Sequence, residues 1–337
     1  MPLWPVYTGT KEPHDGIAAL PPPPPWRAFD GGPPLDTPED AADSAATSPD
    51  RTHRARTYRA TPETVELVNA ALYLRRPLLV TGPPGTGKSS LAYAVARELR
   101  LGPVLRWNIT SRSTLHDGLY QYDPLSRLYA ARHSAPGPAP ESGVEDHLRL
   151  GPLGTALLPY TRPRALLVDE IDKGDLDLPN DLLNVLEEGR YEIPELVRVA
   201  RHVPKARVMA DGTHDRVPVE RGRVRCRAFP FVVLTSNGER EFPPAFLRRC
   251  VTLRLRQPDE EQLADIVRAH FDGEPDAYAQ TLISRFLSRV DGGDLATDQL
   301  LNAIYLARSA DLPDGSLDGL ARRLMPYLGE GRQPDAR

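Results

Sequence analysis

Short runs of apolar residues recur through the middle of the chain, and between them apolar positions return every three or four residues. The runs are predicted to be five strands: Leu78–Thr81, Val104–Ile109, Ala165–Val168, Phe231–Thr235 and Val251–Leu255. Uninterrupted apolar runs of this kind are typical of strands that are buried on both faces. Strands that alternate with helices form a parallel sheet covered on both sides. The predicted fold class is therefore α/β, a three-layer αβα core with a five-stranded parallel sheet.

The pattern changes after Pro258, where the strand signal stops. Helical spacing of apolar residues continues over residues 259–271, 277–290, 297–310 and 316–328. This spacing predicts a small all-helical lid domain over residues 258–337, so that the α/β core covers residues 57–257.

The first 56 residues form a third region, which holds 12 of the 36 prolines and shows no sustained periodicity. This composition predicts a disordered Pro-rich tail. The alternative is a docking segment, because four aromatic residues of the kind that anchor such segments are present: Trp4, Tyr7, Trp26 and Phe29.

Residues 82–89 match the pattern GxxxxGK[ST], and they lie between the first predicted strand and a helical stretch. Glycines let successive backbone N–H groups surround phosphate oxygens, and the helix dipole adds to the attraction. Lys88 is expected to reach the terminal phosphates, and the Ser89 hydroxyl to bind magnesium. The sequence therefore predicts nucleotide binding by Gly82, Pro83, Pro84, Gly85, Thr86, Gly87, Lys88, Ser89 and Ser90.

Two further strands end in polar residues. Asp169 and Glu170 follow the strand that starts at Ala165, and Asn237 follows the strand that starts at Phe231. The carboxyl ends of parallel strands meet at one edge of a sheet, so these side chains are expected beside the phosphate loop. We expect Asp169 to hold magnesium together with Ser89, and Glu170 to polarise the attacking water. Asn237 would orient that water or sense the γ-phosphate, although Asn-Gly alone is also a common turn.

This order of motifs resembles the AAA+ ATPases, and within them the MoxR-type branch, which carries an insertion in its second helix. The resemblance rests on residues 122–124, 151–158, 169–173, 182–189 and 243–250. It covers residues 58–257 well and the lid only loosely. It implies ATP and Mg²⁺ as ligands, a ring of usually six copies, and an arginine finger at Arg249, with Arg248 as second candidate.

The resemblance also implies remodelling of a protein partner, and members of that branch often work with a protein that has a von Willebrand factor A domain. One departure concerns the lid. Where the family commonly has a sensor arginine, this chain reads Ala-Thr-Asp-Gln-Leu over residues 296–300. Hydrolysis that is slow or depends on a partner is the expectation that follows.

A basic segment allows either nucleic acid or a protein as the partner. Between Arg198 and Arg227 nine Lys or Arg residues stand against three acids, and residues 221–227 alternate as in a strand. A basic β-hairpin near residues 191–230 is predicted. Such a hairpin could hold nucleic acid, but aromatic residues that would stack on bases are not interleaved with its charges, so we rank a protein partner first.

Charge and composition restrict the remaining classes. The net charge of −4 is too small for a general attraction to nucleic acid or membranes, and no apolar run approaches the roughly 20 residues of a membrane span. Two distant cysteines, Cys226 and Cys250, suit reduced thiols, so a cytoplasmic location is expected. The alternatives to a remodelling ATPase are a DNA-directed or restriction-type motor and a nucleotide-switched scaffold with little turnover. A small-molecule kinase fits least well, because it needs neither the arginine pair nor the lid.

Overall fold

The computed structural model describes residues 5–38, 48–133, 143–213, 215–271, 275–287 and 296–309. The strands are β1 (Leu78–Thr81), β2 (Leu105–Asn108), β3 (Tyr120–Tyr122), β4 (Leu148–Leu150), β5 (Ala165–Asp169), β6 (Arg190–Glu192), β7 (Lys205–Met209), β8 (Arg216–Glu220), β9 (Arg223–Arg225), β10 (Phe231–Ser236) and β11 (Val251–Arg254). The helices are α1 (Pro49–Thr57), α2 (Pro62–Leu74), α3 (Lys88–Glu98), α4 (Leu115–Leu119), α5 (Pro124–His133), α6 (Pro152–Ala156), α7 (Leu178–Glu188), α8 (Pro194–Val199), α9 (Pro244–Leu247), α10 (Glu260–Phe271), α11 (Ala277–Leu287) and α12 (Thr297–Ser309).

The central sheet has five strands in the order β11-β1-β10-β5-β2, and every neighbouring pair is parallel. These are the five strands that the apolar runs predict, and the α/β fold class is confirmed. Helices cover both faces. One face packs on α2 and α3, the other on α4, α6 and α7. Strands buried on both sides must be apolar throughout, which explains why they could be found in the sequence.

The helices after β11 have a hydrophobic cluster of their own. Leu263 and Val267 of α10, Phe286 of α11 and Leu300 of α12 are each buried in it. Of the four predicted helical stretches, the first three correspond to α10, α11 and α12 within the described residues. The stretch predicted over residues 316–328 lies outside them.

A second sheet of six strands lies beside the core, in the order β3-β4-β7-β8-β9-β6. The sequence predicts only a hairpin here. β7 and β8 do form an antiparallel hairpin, with Lys205 opposite Glu220, but it pairs further with β4 on one side and β9 on the other. The predicted hairpin is therefore part of a larger sheet rather than an exposed arm.

Within the described part of the chain, acidic residues pair with four of the nine basic residues in the basic segment. Arg223 bonds Glu192 at 2.9 Å, Lys205 lies 3.0 Å from Glu220, and Arg225 lies 2.7 Å from Asp30. Arg216 pairs with Asp146. These partners, three of which lie outside the segment, reduce the positive charge that the segment offers to a ligand.

The structure corrects the prediction of a disordered tail for residues 5–38 and 48–56. Val6 and Tyr7 are buried, and both backbone N–H groups donate to Oδ1 of Asn69, at 2.7 and 2.9 Å. Glu98, which is fully buried, accepts from the backbone N–H groups of Thr8, Gly9 and Lys11. A chain with few apolar residues can still be held in place when buried polar side chains of the core satisfy its backbone.

The second part of this region forms α1, which packs against α3 and α10. Within the first part, Phe29 stacks on Phe229, with ring centroids 5.5 Å apart. Tyr7 and Phe29 therefore anchor the segment on its own core. Trp26 stays 78% exposed, and Trp4 lies outside the described residues.

None of the helices in the described part of the chain has the length and apolar character that a membrane crossing needs.

Candidate functional site

The phosphate loop connects β1 to α3. Gly82 has φ +151°, and a Cβ at this position would lie 2.4 Å from the carbonyl oxygen of Leu255, so only glycine fits where β1 leaves the sheet. α3 begins at Lys88, directly after the loop. Backbone N–H groups at a helix start have no carbonyl partner within the helix, which makes this turn suited to an anion.

Lys88 is buried beside the loop, and its ammonium donates to the carbonyl oxygens of Gly82 and Pro83, at 2.7 and 2.8 Å. Burial lowers the pKa of Lys88, while the negative charges of Asp172, Asp169 and Glu170 oppose that shift. The ammonium therefore lies within the field of three carboxylates at the end of β5.

Asp169 receives hydrogen bonds from three directions. Ser89 and Thr235 donate their hydroxyls to Oδ1, each at 2.7 Å, and Arg106 donates to Oδ2 at 2.9 Å. Burial alone would raise the pKa of Asp169, but these three hydrogen bonds and the charge of Arg106 outweigh it, so the pKa is lowered. Asp169 is thus held ionised and oriented. Thr235 and Arg106 were not predicted as site residues.

Glu170 occupies a left-handed backbone conformation, with φ 62° and ψ 49°. Few residues other than glycine adopt it without cost, and such strain is concentrated at functional sites. Its N–H donates to the Thr235 hydroxyl at 2.8 Å, which helps to hold this turn. Its carboxylate accepts from Lys173 at 2.8 Å, in an ion pair with both side chains partly exposed.

Asp172 organises the turn that carries Asn237. Its Oδ2 accepts from the Ser236 hydroxyl at 2.8 Å and from the backbone N–H groups of Asn237 and Glu239, at 3.0 and 3.2 Å. Arg240 reinforces the turn by donating to the backbone carbonyl of Asp172. Sequence reasoning missed this residue, although a third acid three positions after Asp169 was a visible signal.

Several of these residues line one cavity of about 450 Å³, whereas Arg106 and Asp172 support that lining from outside it. Pro84 to Ser90, Asp169, Glu170, Thr235 and Asn237 form its floor. The remaining walls come from the end of α1 and the two residues that follow, Tyr58 and Arg59, from α10 and from the start of α12. Part of the predicted tail is therefore a wall of the site, as is the lid.

A pair of histidines connects two of these walls. The ring of His53 on α1 meets that of His270 on α10 edge-on, with centroids 4.8 Å apart. His270 Nδ1 lies 2.8 Å from the carbonyl oxygen of Ile266, and burial lowers the pKa of His270. A neutral imidazole beside apolar Ile266 and Leu301 gives this end of the cavity a surface suited to an aromatic ring.

Arg248 and Arg249 lie elsewhere. They precede β11, whose first residue Val251 pairs with Leu78, the first residue of β1. The phosphate loop follows the last residue of β1, so the two arginines are at the opposite end of the strands, roughly 10 Å away by strand rise alone. Arg249 pairs with Glu187 of α7 at 2.6 Å. Neither arginine lines the cavity of its own chain.

Comparison with known proteins agrees with this architecture. The family model for the AAA domain (dynein-related subfamily) matches residues 77–250, just over half of the 337 residues. The chain belongs to this AAA domain family. The matched segment begins before β1 and ends just before β11, so it contains the phosphate loop, Asp169, Asn237 and both arginines.

No curated protein matches the chain. Among solved structures, the crystal structure of NtrX from Brucella abortus in complex with ADP aligns with 14% sequence identity and a TM-score of 0.39. The alignment covers 80% of this chain and 55% of NtrX, so the chain spans little more than half the length of that protein.

The oxygen atoms in the site of this AAA domain suit a magnesium ion. Mg²⁺ binds hard oxygen ligands, keeps several waters, and needs only one or two protein groups when a phosphate chain supplies the rest. The Ser89 hydroxyl and the Asp169 carboxylate are such groups, 2.7 Å apart. Within the described residues no cluster of three or more His, Cys, Asp or Glu could hold a metal by itself. The site therefore fits a cation that arrives with a phosphate chain.

Proposed function

We propose that this AAA domain binds Mg²⁺ and ATP and hydrolyses ATP, as a MoxR-type remodelling factor that acts on a protein partner in a ring of six copies, the number that the resemblance implies. The observation that carries the hydrolytic part is the convergence of Lys88, Ser89, Asp169 and Glu170 on one cavity. The loop supplies anion contacts, Ser89 and Asp169 supply the oxygen ligands for a cation, and Glu170 supplies a base.

Each side chain then has a defined task. Lys88 donates to the terminal phosphates in place of the Gly82 and Pro83 carbonyls. Bound Mg²⁺, held by Ser89 and Asp169, would neutralise phosphate charge. Glu170 accepts a proton from the water whose oxygen bonds to the γ-phosphorus, while the bond between that phosphorus and the β–γ bridging oxygen breaks and ADP leaves. Glu170 has to leave its ion pair with Lys173 for this task.

The position of the arginines supports action between copies. Arg248 and Arg249 are both exposed, and they lie at the end of the sheet away from their own cavity. For either of these two guanidinium groups to stabilise charge on the transferred phosphoryl group, it would have to come from an adjacent copy. A closed ring provides such contacts at every site.

The paired charges of the second sheet support a protein partner over nucleic acid. Arg216, Arg223 and Arg225 each have an acidic partner from outside the basic segment. A partner with a von Willebrand factor A domain and a cytoplasmic location remain proposals from resemblance and composition. Both cysteines are free and buried, and burial raises the pKa of Cys226 and of Cys250 to about 12, which makes them unreactive thiols.

Nucleotide binding and the partner class can be tested together. We expect calorimetry to detect ADP binding to the unmodified chain and to find it weakened at least about tenfold in Lys88→Ala, because a charged contact with the phosphates is lost. Lys205→Ala, which removes an exposed lysine of β7, is the matched control and should bind normally.

Double-stranded DNA at low salt should not raise the rate of phosphate release. DNA stimulation that declines steeply with salt would instead support the DNA-directed motor.

Asp172 is a positioning residue in this account, and Asp172→Ala tests it. The substitution leaves the N–H groups of Asn237 and Glu239 without their acceptor, so the Asn237 turn should shift. We expect kcat to fall about 10²-fold, as small misplacements in active sites can cause, while the Kd for ADP changes by less than about threefold. Asp175→Ala, an exposed acid in the same connection, is the control. Equal losses of kcat and ADP affinity would show a general structural role instead.

A further inference from the structure

The start of α12 lies directly against the phosphate loop. Thr297 and Asp298, the first two residues of this 13-residue helix, line the same cavity as Lys88 and Ser89. A Cβ added to Gly85 would come within 2.5 Å of the backbone nitrogen of Thr297. Loop and lid therefore approach each other at a distance that only glycine permits, and whatever the loop holds is also close to α12.

The side chain of Thr297 has an unused hydrogen-bonding group. The residue is only 5% exposed, and among the described residues its hydroxyl has no hydrogen-bond partner. Buried polar groups are nearly always paired, because a hydroxyl removed from water without a partner is unfavourable. A hydroxyl in this state on a cavity wall indicates a partner that the chain itself does not provide.

The backbone at the start of α12 points to the same kind of partner. Ala296 precedes the helix and has no side-chain oxygen that could cap it. Gln299 accepts from the Ala296 N–H at 3.4 Å, which is half of a capping box. The N–H groups of Thr297 and Asp298 belong to the first turn and have no carbonyl partner within the helix. The positive end of the α12 dipole is thus close to the loop and is suited to an anionic oxygen.

We propose that the Thr297 hydroxyl and the first turn of α12 donate to an oxygen of the nucleotide's phosphate chain, which makes Thr297 the residue through which the lid binds nucleotide. This inference rests on the proposed function, since it needs a nucleotide in the cavity. Asp298 acts in the opposite direction. Its carboxylate is exposed on the same cavity wall, so it repels the phosphates and weakens the contact.

Thr297→Val tests the proposal, because valine keeps the shape and removes only the hydroxyl. We expect the Kd for ADP, measured by calorimetry, to rise about tenfold, as for the loss of a hydrogen bond to a charged group. Adenosine, measured as a competitor of a fluorescent ADP, should bind Thr297→Val as well as it binds the unmodified chain. The melting temperature without nucleotide should stay the same or rise, because a buried unpaired hydroxyl is replaced by a methyl group. Thr297→Ser keeps the hydroxyl and should bind ADP almost normally.

Other results would overturn the inference. These are an unchanged Kd for ADP in Thr297→Val, equal losses for ADP and adenosine, or a lowered melting temperature in parallel with the lost affinity. Asp298→Asn provides a test of opposite sign, with ADP affinity expected to rise about twofold as a repulsive charge is removed. A loss of affinity there would mean that the carboxylate itself makes the contact. If the unmodified chain fails to bind ADP, the proposed function is wrong. If the unmodified chain binds ADP and Thr297→Val binds it with the same Kd, only this inference is wrong.

Discussion

Glu170→Gln is expected to lower the rate of ATP hydrolysis by about 10²- to 10⁴-fold, the range that positioned acid–base groups contribute. The amide of glutamine is nearly the same shape as the carboxylate but cannot accept the proton of the attacking water. Affinity for ATP should change by less than about threefold, because Lys88, Ser89 and Asp169 remain in place. Phosphate release at saturating ATP gives the rate, and calorimetry in the same buffer gives the affinity.

Glu188→Gln is the control for this experiment. Glu188 is also an exposed glutamate in an ion pair, with Arg190 at 3.0 Å, but it lies at the end of α7, outside the cavity lining. Its substitution should leave hydrolysis unchanged. If Glu170→Gln hydrolyses ATP as fast as the unmodified chain, Glu170 is not the base. If the unmodified chain binds ATP with no turnover above the Glu170→Gln background, the nucleotide-switched scaffold becomes the better account.

Arg249→Ala is expected to lower kcat by about 10³-fold, the lower end of the range for an arginine finger. The residue lies at the end of the sheet away from its own cavity, so nucleotide affinity measured at low protein concentration should not change. The loss of its ion pair with Glu187 should have little effect on stability, since both side chains are partly exposed. Steady-state phosphate release and thermal melting check the two statements.

Two further substitutions are compared with Arg249→Ala: one is a control, and the other tests which of the two arginines is the finger. Arg190→Ala removes an exposed arginine that is also paired with a glutamate, and it should hydrolyse ATP normally. Arg248→Ala should be less severe than Arg249→Ala if Arg249 is the finger, and more severe if the order is reversed. Full activity of both variants would exclude this segment from the reaction.

The central sheet could be predicted because burial on both faces leaves an uninterrupted apolar run in each strand. The same pattern places Asp169, Glu170 and Asn237 at strand ends, and parallel strands bring those ends together. Most of the cavity floor follows from these two rules and the phosphate-loop motif. The fold class, which is confirmed, is therefore the part in which local pattern and tertiary burial agree.

The packed segment before residue 57 could not be predicted in this way. Its anchors, Asn69 and Glu98, lie 62 to 90 residues further along the chain from the backbone groups that they hold. The composition of the segment shows only that it has few apolar residues, which by itself predicts disorder. A signal was nevertheless present, since Asn69 falls beside apolar positions of α2 and Glu98 precedes the buried Leu99. A polar residue on a buried helix face needs a partner, and here the partner is the segment itself.

The second sheet and three site residues were missed for related reasons. β3, β4 and β6 have three residues each, which is too short for an alternating pattern to be recognised, whereas β9 falls within the predicted alternation over residues 221–227. Arg106 and Thr235 act through Asp169, and Asp172 acts through the Asn237 turn, so each of the three depends on a neighbour from another element. Their roles depend on which elements meet, and no local pattern records that.

The central claim is that ATP is hydrolysed at a site completed by a second copy of the chain, and mixing two inactive variants tests it most directly. Lys88→Ala has a damaged phosphate loop with an intact Arg249, and Arg249→Ala has the reverse. We predict that each alone releases almost no phosphate from ATP, and that an equimolar mixture recovers a clear fraction of the unmodified rate, because some contacts then join an intact loop to an intact arginine. A mixture no more active than its two components, under conditions where the unmodified chain is active, would contradict the claim.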